Sequence, residues 1–262
     1  MKQIPGGVCA AQGFRAAGLH VGVKTHNINK KDVALIVSDV DCAAAAVFTK
    51  NVVQAAPIHV SRAHLADGRA RAIIANSGNA NACAPMGEEN ALRMCQAAAD
   101  AIGCGAEDVL VSSTGVIGQT LRVEVIEQGV PQLCALLERS DAASDAAAHA
   151  IMTTDTVKKE AAVETTVGGK TVRIGGIAKG SGMIHPNMGT MLCFLTTDCA
   201  ISPGMIREAL LETAAVSFNR ISVDGDTSTN DTCCVLANGL AGNPEITEKN
   251  EDYAAFLAAL QD

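Results

Sequence analysis

Along the chain, short runs of aliphatic and β-branched residues alternate with Ala-rich stretches whose apolar positions recur every three or four residues. The runs at 33–37, 72–75, 109–112, 192–196 and 221–223 predict strands. Residues 88–102 place Leu92, Cys95, Ala99 and Ile102 on one helical face, and Gly103 can take the left-handed backbone that closes a helix. Residues 123–139 and 141–151 predict two further helices. Ser202 and Pro203 form an N-cap and first-turn pair, with Ile206, Leu210 and Thr213 following at helical spacing. A last helix is predicted over 252–260. The pattern as a whole predicts a mixed α/β fold (α+β), with the sheet order left open. The Ala clusters at 43–46 and 146–148 read as packing segments. Glycines concentrate at Gly168, Gly169, Gly175, Gly176, Gly180, Gly182 and Gly189, where unusual backbone or close backbone approach is expected.

Composition narrows the function classes. The 262 residues fit one large domain or two small ones. With 48% apolar and 18% charged residues, the chain has enough to bury and too little charge to stay disordered. A net charge of −8 argues against binding DNA or an anionic membrane through bulk charge. Aromatics make up 2%, so base-stacking platforms are not expected, and the core must come from Ala, Val, Ile, Leu, Cys and Met. No run of 18 apolar residues predicts a membrane span, and the N-terminus does not read as a signal peptide. The ten Cys are scattered without a C-x-x-C and read as reduced core thiols of a cytoplasmic protein. His20, His26, His59, His64 and His149 show no metal-ligand spacing, and His185, before Pro186, reads as loop-shaping.

Four polar stretches could carry chemistry. In the first, residues 175–192, Gly180-Ser181-Gly182 starts a dinucleotide loop, but His185 stands at its third Gly. Lys179 precedes the glycines, so a Walker loop fails too. A Gly-Thr bond leading into an apolar strand fits another chemistry. The Thr hydroxyl attacks the preceding carbonyl, and water then frees a new N-terminus. The released α-amine, with a pKa near ~8, can act as a local base. Gly189-Thr190 offers that bond; the plainer reading is a loop Gly before a strand-starting Thr. In the second stretch, 109–118, a strand runs into Ser113-Thr114-Gly115, a turn able to aim a hydroxyl and an N–H at a developing oxyanion, or simply a Ser/Thr/Gly turn. In the third, 221–232, an EF-hand loop starting at Asp224 fails, because its sixth position is Thr229 and its twelfth Val235. The Asp224-x-Asp226 spacing also suggests a phosphatase nucleophile, against an ordinary Asx-rich turn. The fourth, 76–82, is dense in Asn and Gly and looks structural.

The order of these stretches closely resembles the ornithine acetyltransferase family of arginine biosynthesis. It is carried by Gly13-Phe14-Arg15-Ala16-Ala17-Gly18, Val47-Phe48-Thr49-Lys50-Asn51 and Asn76-Ser77-Gly78-Asn79-Ala80-Asn81. Ser113-Thr114-Gly115-Val116-Ile117-Gly118, Met152-Thr153-Thr154-Asp155-Thr156 and Ala178-Lys179-Gly180-Ser181-Gly182-Met183 continue it, and Asp224-Gly225-Asp226-Thr227-Ser228-Thr229-Asn230-Asp231 completes it. The resemblance implies a layered α/β/β/α fold shared with self-processing aminopeptidases. It implies self-cleavage between Gly189 and Thr190, giving an α segment (1–189) and the N-terminal part of a β segment (190–262). Family members commonly have Ala where Gly189 stands. Thr190 would be the nucleophile that carries acetyl from N2-acetyl-ornithine to L-glutamate, with no metal and no organic cofactor. Some members also take the acetyl group from acetyl-CoA. Thr114 and Gly115 would form the oxyanion hole. Thr153 and Lys179 would bind substrate, Lys179 through its carboxylate. An α2β2 heterotetramer is implied as well. Family members continue past position 262 with pocket residues that this chain does not match, so a truncated member is expected. The rival expectations are an N-terminal-nucleophile amidase or aminopeptidase, with water as acceptor, and an inactive fragment.

Overall fold

The computed structural model describes residues 1–185 and 191–262. Fifteen strands and helices follow in chain order among these residues: β1 (Lys2–Gln3), β2 (Phe14–Leu19), β3 (Val33–Phe48), α1 (Ala56–His64), β4 (Arg69–Asn79), α2 (Gly87–Ile102), β5 (Val109–Val116), α3 (Val123–Ala135), α4 (Asp141–Ile151), β6 (Lys159–Val167), β7 (Lys170–Lys179), β8 (Leu192–Thr197), α5 (Pro203–Val216), β9 (Thr232–Ala237) and α6 (Glu251–Gln261). The strands run β1-β6-β7-β8-β9-β3-β4-β5, with β2 also paired to β3. The pairs β4–β5 and β8–β9 are parallel; the others are antiparallel.

The long strand β3 joins two halves of this sheet. Its first part pairs with β2 and β4, and its second part, Ala43 to Phe48, pairs with β9. Between Val37 and Cys42 the ladder slips, and there Asp39, Val40 and Asp41 turn outward to water. Five steps along β3 here face two along β4, and such extra residues in one strand bend it and add twist, which lets one strand serve both halves.

Strand alternation then sorts the core into three layers. Ile36, Ile73, Ala75 and Leu110 of one half meet Ile177, Leu192, Phe194, Cys234 and Leu236 of the other, with α4 packed into the same cluster. The opposite faces are Leu35, Ile74 and Val111, covered by α2 and α3, and Cys193, Cys233 and Val235, covered by α5 and α6. The order is therefore helices, sheet, sheet, helices, the expected α/β/β/α arrangement. Each fully buried aliphatic side chain contributes roughly 1.5–3 kcal/mol relative to leaving it in water.

Local signals account for several boundaries. Gly103 ends α2 in the left-handed region (φ 74°) and donates its N–H to Ala99 O. Ser140 caps α4 by accepting from Ala143 N, and Ser202 caps α5 by accepting from Met205 N. Gly168 and Gly169, at φ 54° and 73°, make the two-residue turn between β6 and β7, which the twist of a hairpin favours.

The structure also corrects the sequence reading. Residues 221–223 are not a strand; the strand lies ten residues on, at β9. Residues 136–139 leave α3, and Glu138 instead bridges to Ala16. Leu92 is exposed, and the buried face of α2 is Ala91, Met94, Cys95, Ala98 and Ala99. The hairpin β6–β7, strand β2 and helix α1 went unpredicted. The Ala cluster at 43–46 lies inside β3. Most thiols are buried as expected, with Cys83 exposed. No helix among the described residues is long and apolar enough to cross a membrane.

Candidate active site

The site forms where β4 and β5 run out side by side. Gly78 lies opposite Gly115 in the parallel register. Gly115 has φ 133°, and a Cβ built on it would stand 2.4 Å from the Gly78 carbonyl carbon. Only glycine fits both that conformation and that approach. Thr114, one residue earlier, is 6% exposed and follows Ser113, whose hydroxyl donates to Asn76 Oδ1 at 2.6 Å. Asn76 in turn donates to Asn79 O at 2.9 Å. The Asn-rich stretch is thus the internal bracing of this strand end.

Lys179 enters from the last position of β7. It is 3% exposed, and its Nζ donates to Thr114 Oγ1 at 3.3 Å. Burial pulls its pKa below the ordinary lysine value, while Asp155 and Asp231 pull the other way. Asp155 sits in the loop after α4. It accepts from Gly180 N at 2.8 Å, Lys159 Nζ at 2.7 Å and Thr153 N at 3.3 Å. Burial pushes this carboxyl up, but those donors together with Lys179 hold it below the ordinary carboxylate value. Thr153 therefore joins the cluster through its main chain, by way of Asp155.

The stretch 224–231 closes the other side. Asp224 accepts from Met183 N at 2.6 Å and Ile184 N at 3.0 Å, and these bonds lower its pKa. Its carboxylate thus holds the main chain at Met183 and Ile184, as an Asx-rich turn would. Thr49 Oγ1 donates to Ser228 O at 2.8 Å, and Asn51 Nδ2 reaches Thr227. Asn230 Nδ2 donates to Ala80 O at 2.6 Å and to Ser113 O at 2.8 Å. Asp231 Oδ1 accepts from Met191 N at 2.7 Å. Thr114, Lys179, Met191, Leu192, Ser228, Asn230 and Asp231 line one narrow, tightly closed cleft. A hydroxyl with a lysine on its oxygen keeps its own proton free to donate elsewhere. Beside a glycine N–H, that arrangement can stabilise a developing oxyanion.

Of the residues singled out from sequence, Thr114 and Lys179 come together, Gly115 follows Thr114 on the exposed side of the strand end, and Thr153 attaches through Asp155. Gly189 and Thr190 lie outside the described residues; Met191, next in the chain to Thr190, lines the cleft. His185 is exposed. Sequence reasoning gave no role to Asn230, Asp231, Asp155 or Lys24. The first three stand in the quoted motifs beside strand ends, a usable signal. Lys24 has none. Its Nζ donates to Lys31 O and Met152 O, both at 2.8 Å, and its stem lies against Gly78. Burial lowers its pKa to about 8. Among the described residues, no group of three or more His, Cys, Asp or Glu could hold a metal ion. A larger groove of about 480 Å³ lies between the sheet and α5–α6, lined by residues such as Ile174, Cys193, Leu210 and Leu260. Its walls are largely apolar, with Lys158, Lys159, Glu160 and Asp262 among the polar residues that line it.

The ArgJ family model matches residues 15–262. An arginine biosynthesis bifunctional protein ArgJ from Symbiobacterium thermophilum is 51% identical over 261 residues, covering 99% of this chain and 64% of that protein. The chain thus spans just under two thirds of that relative's length. The crystal structure of ArgJ from Bacillus halodurans superposes with a TM-score of 0.67 at 43% identity, covering 72% of this chain and 97% of the other. Ornithine acetyltransferase from Mycobacterium tuberculosis, solved in complex with ornithine, gives a TM-score of 0.62 at 37% identity, covering 71% and 96%. An aminopeptidase and amidase from Ochrobactrum anthropi, described as a variant of the Ntn-hydrolase fold, shares the fold alone. Its TM-score is 0.56 at 11% identity, covering 100% of this chain and 85% of that one.

Proposed function

The chain belongs to the ArgJ family, and from that premise we propose that it transfers acetyl from N2-acetyl-ornithine to L-glutamate through an ester on Thr190. The observation that carries this reading is the meeting of Thr114 and Lys179 in one cleft with Met191, the residue after the proposed nucleophile.

The chain first cuts itself. Thr190 Oγ attacks the Gly189 carbonyl, the peptide C–N bond breaks, and an ester forms. Water then releases the Gly189 carboxylate and leaves a free α-amine on Thr190. The two pieces, 1–189 and 190–262, are the α segment and the start of the β segment. Next, Thr190 Oγ attacks the acetyl carbonyl while its own α-amine takes the proton, and the oxyanion receives bonds from the Thr114 hydroxyl and Gly115 N–H. The N–C bond breaks, ornithine leaves with that proton, and acetyl-Thr190 remains. The glutamate α-amine attacks this ester through the same oxyanion, giving N-acetyl-glutamate and free Thr190. Lys179, with two N–H groups beyond its bond to Thr114, pairs with the substrate carboxylate. Thr153 borders the substrate. The chemistry uses no metal or organic cofactor, acetyl-CoA is a second acetyl donor, and the assembly is an α2β2 heterotetramer.

Intact-protein mass spectrometry, before and after addition of N2-acetyl-ornithine, tests the reading. Two pieces, with one acetyl group on the shorter, are expected, and Thr190→Ala should abolish both changes. An acetyl group that still appears on Thr190→Ala would remove Thr190 as nucleophile. A likeness of fold to an amidase supports a second reading, in which water is the acceptor. Loss of the acetyl group at the same rate with and without glutamate would favour it.

A further inference from the structure

We propose that Asn230 is a positioning residue that fixes the Thr114–Gly115 peptide relative to the strand following Thr190. The inference rests on the acyl-transfer reading above and adds a residue to it. Asn230 is 7% exposed, and every polar group it carries has a partner. Its Nδ2 donates to Ser113 O and Ala80 O, and its Oδ1 accepts from Thr229 Oγ1. Its main-chain N–H donates to Ser228 Oγ at 3.0 Å, and its carbonyl accepts from Thr232 Oγ1 at 3.2 Å. The amide therefore cannot swing without stranding several buried groups at once.

The placement of these bonds matters more than their number. Ser113 O belongs to the peptide plane that carries the Thr114 N–H. Ala80, the other carbonyl held by Asn230, donates its own N–H to Val116 O at 2.9 Å. Thr114–Gly115 is thus pinned on both sides, at Ser113 directly and at Val116 through Ala80, and both ties lead to one side chain. The next residue, Asp231, holds Met191 N. Two adjacent residues therefore tie the oxyanion strand and the nucleophile's strand to one short peptide. That peptide sets their separation. A shift of about 1 Å between reacting groups is enough to cost on the order of 10²-fold in rate.

Asn238 offers the control. It sits just beyond the opposite end of β9, is 9% exposed, and its Nδ2 donates to Gln12 O at 2.7 Å. It is a comparable amide clasp remote from the cleft. Single-turnover acetylation of the chain is followed by intact mass against N2-acetyl-ornithine concentration, with thermal midpoints recorded alongside. Asn230→Ala should lower the saturating rate by about 100-fold and leave the half-saturating concentration within about twofold. Asn230→Asp, which keeps the shape but turns an acceptor toward two carbonyls, should do the same. Asn238→Ala should lower the thermal midpoint comparably and keep the parent rate. A parent-like rate in folded Asn230→Ala, or an equal loss in Asn238→Ala, would overturn the proposal. Should Asn230→Ala not fold, Asn230→Ser, with one donor of shorter reach, carries the same comparison. A parent chain that accepts no acetyl group overturns the acyl-transfer reading, and this inference with it.

Discussion

The parallel pair β8–β9 has two ends built from the same residue types, and they do different things. At the leaving end, the buried Asp198 accepts from Arg173 N at 2.7 Å and Gln12 N at 3.0 Å. Thr197 Oγ1 donates to Arg173 O, and Asn238 donates to Gln12 O. The partners are main-chain groups, so the end is a closed clasp that holds the N-terminal loop to the sheet. At the entering end, Asp231 and Asn230 hold main chain in the same way. Here, however, a buried lysine and a threonine hydroxyl also face the cleft. Polar residues at a strand end are therefore no mark of a site in themselves. What separates the two ends is a buried lysine bonded to a hydroxyl that keeps its own proton to donate.

That contrast can be attacked in order of expected effect. Thr114→Ala removes one oxyanion donor and should slow acetylation and self-cleavage by ~100-fold, read by mass spectrometry over time. An unchanged rate would detach Thr114 from the chemistry. The second comparison sets Asp198→Asn against Asp155→Asn. The first should cost roughly 1–3 kcal/mol in denaturant unfolding, as a buried acceptor turned partly donor, and leave the acetylation rate alone. The second should slow acetylation as well, since Lys179 and Lys159 lose a counter-charge. It should also change the acid limb. Because the folded pKa of Asp155 is depressed, its contribution is present above the unfolded value of about 3.9 and is lost as pH falls through the folded one. Asp155→Asn should therefore lose less stability than the parent on acidification below about pH 4. A last effect, on stability alone, is expected at Lys24. Its folded pKa of about 8 lies below the ordinary 10.5, so between those values the unfolded chain holds more protons and stability rises with pH. The parent should gain on Lys24→Met across that window in paired thermal scans. A constant difference would mean that Lys24 is not buried as a titrating group.

Much of this was legible in the sequence because it depends on near neighbours. Gly103, Ser140 and Ser202 act within one helical turn, and their boundaries follow from local hydrogen bonding. The strands at 33–37, 72–75 and 109–112 announced themselves by continuous aliphatic runs. The hairpin β6–β7 was hidden, because its strands mix Thr, Glu, Lys and Gly with Val and Ile on a partly exposed edge. The 221–223 stretch looked apolar enough for a strand, but Val223 is exposed, and its N–H goes to Ile184 O in a loop. The Ser113–Gly115 turn, Lys179 and the family resemblance were readable as motifs, since each is a short string.

The sequence by itself determined the element types over most of the chain, the small-residue core and the family to which the motifs belong. Only the tertiary structure decided which polar residues share a cleft. Asn230 and Ser113 lie 117 positions apart, and Lys179 and Thr114 lie 65 apart. Pairings over such separations leave no periodic trace in the chain. They exist because β3 bends across both halves of the sheet and brings the ends of β4, β5, β7 and β9 to one place. The depressed pKa of Lys179 is likewise a property of that place, since burial, and not the residue's neighbours in sequence, removes the water that would otherwise stabilise its charge.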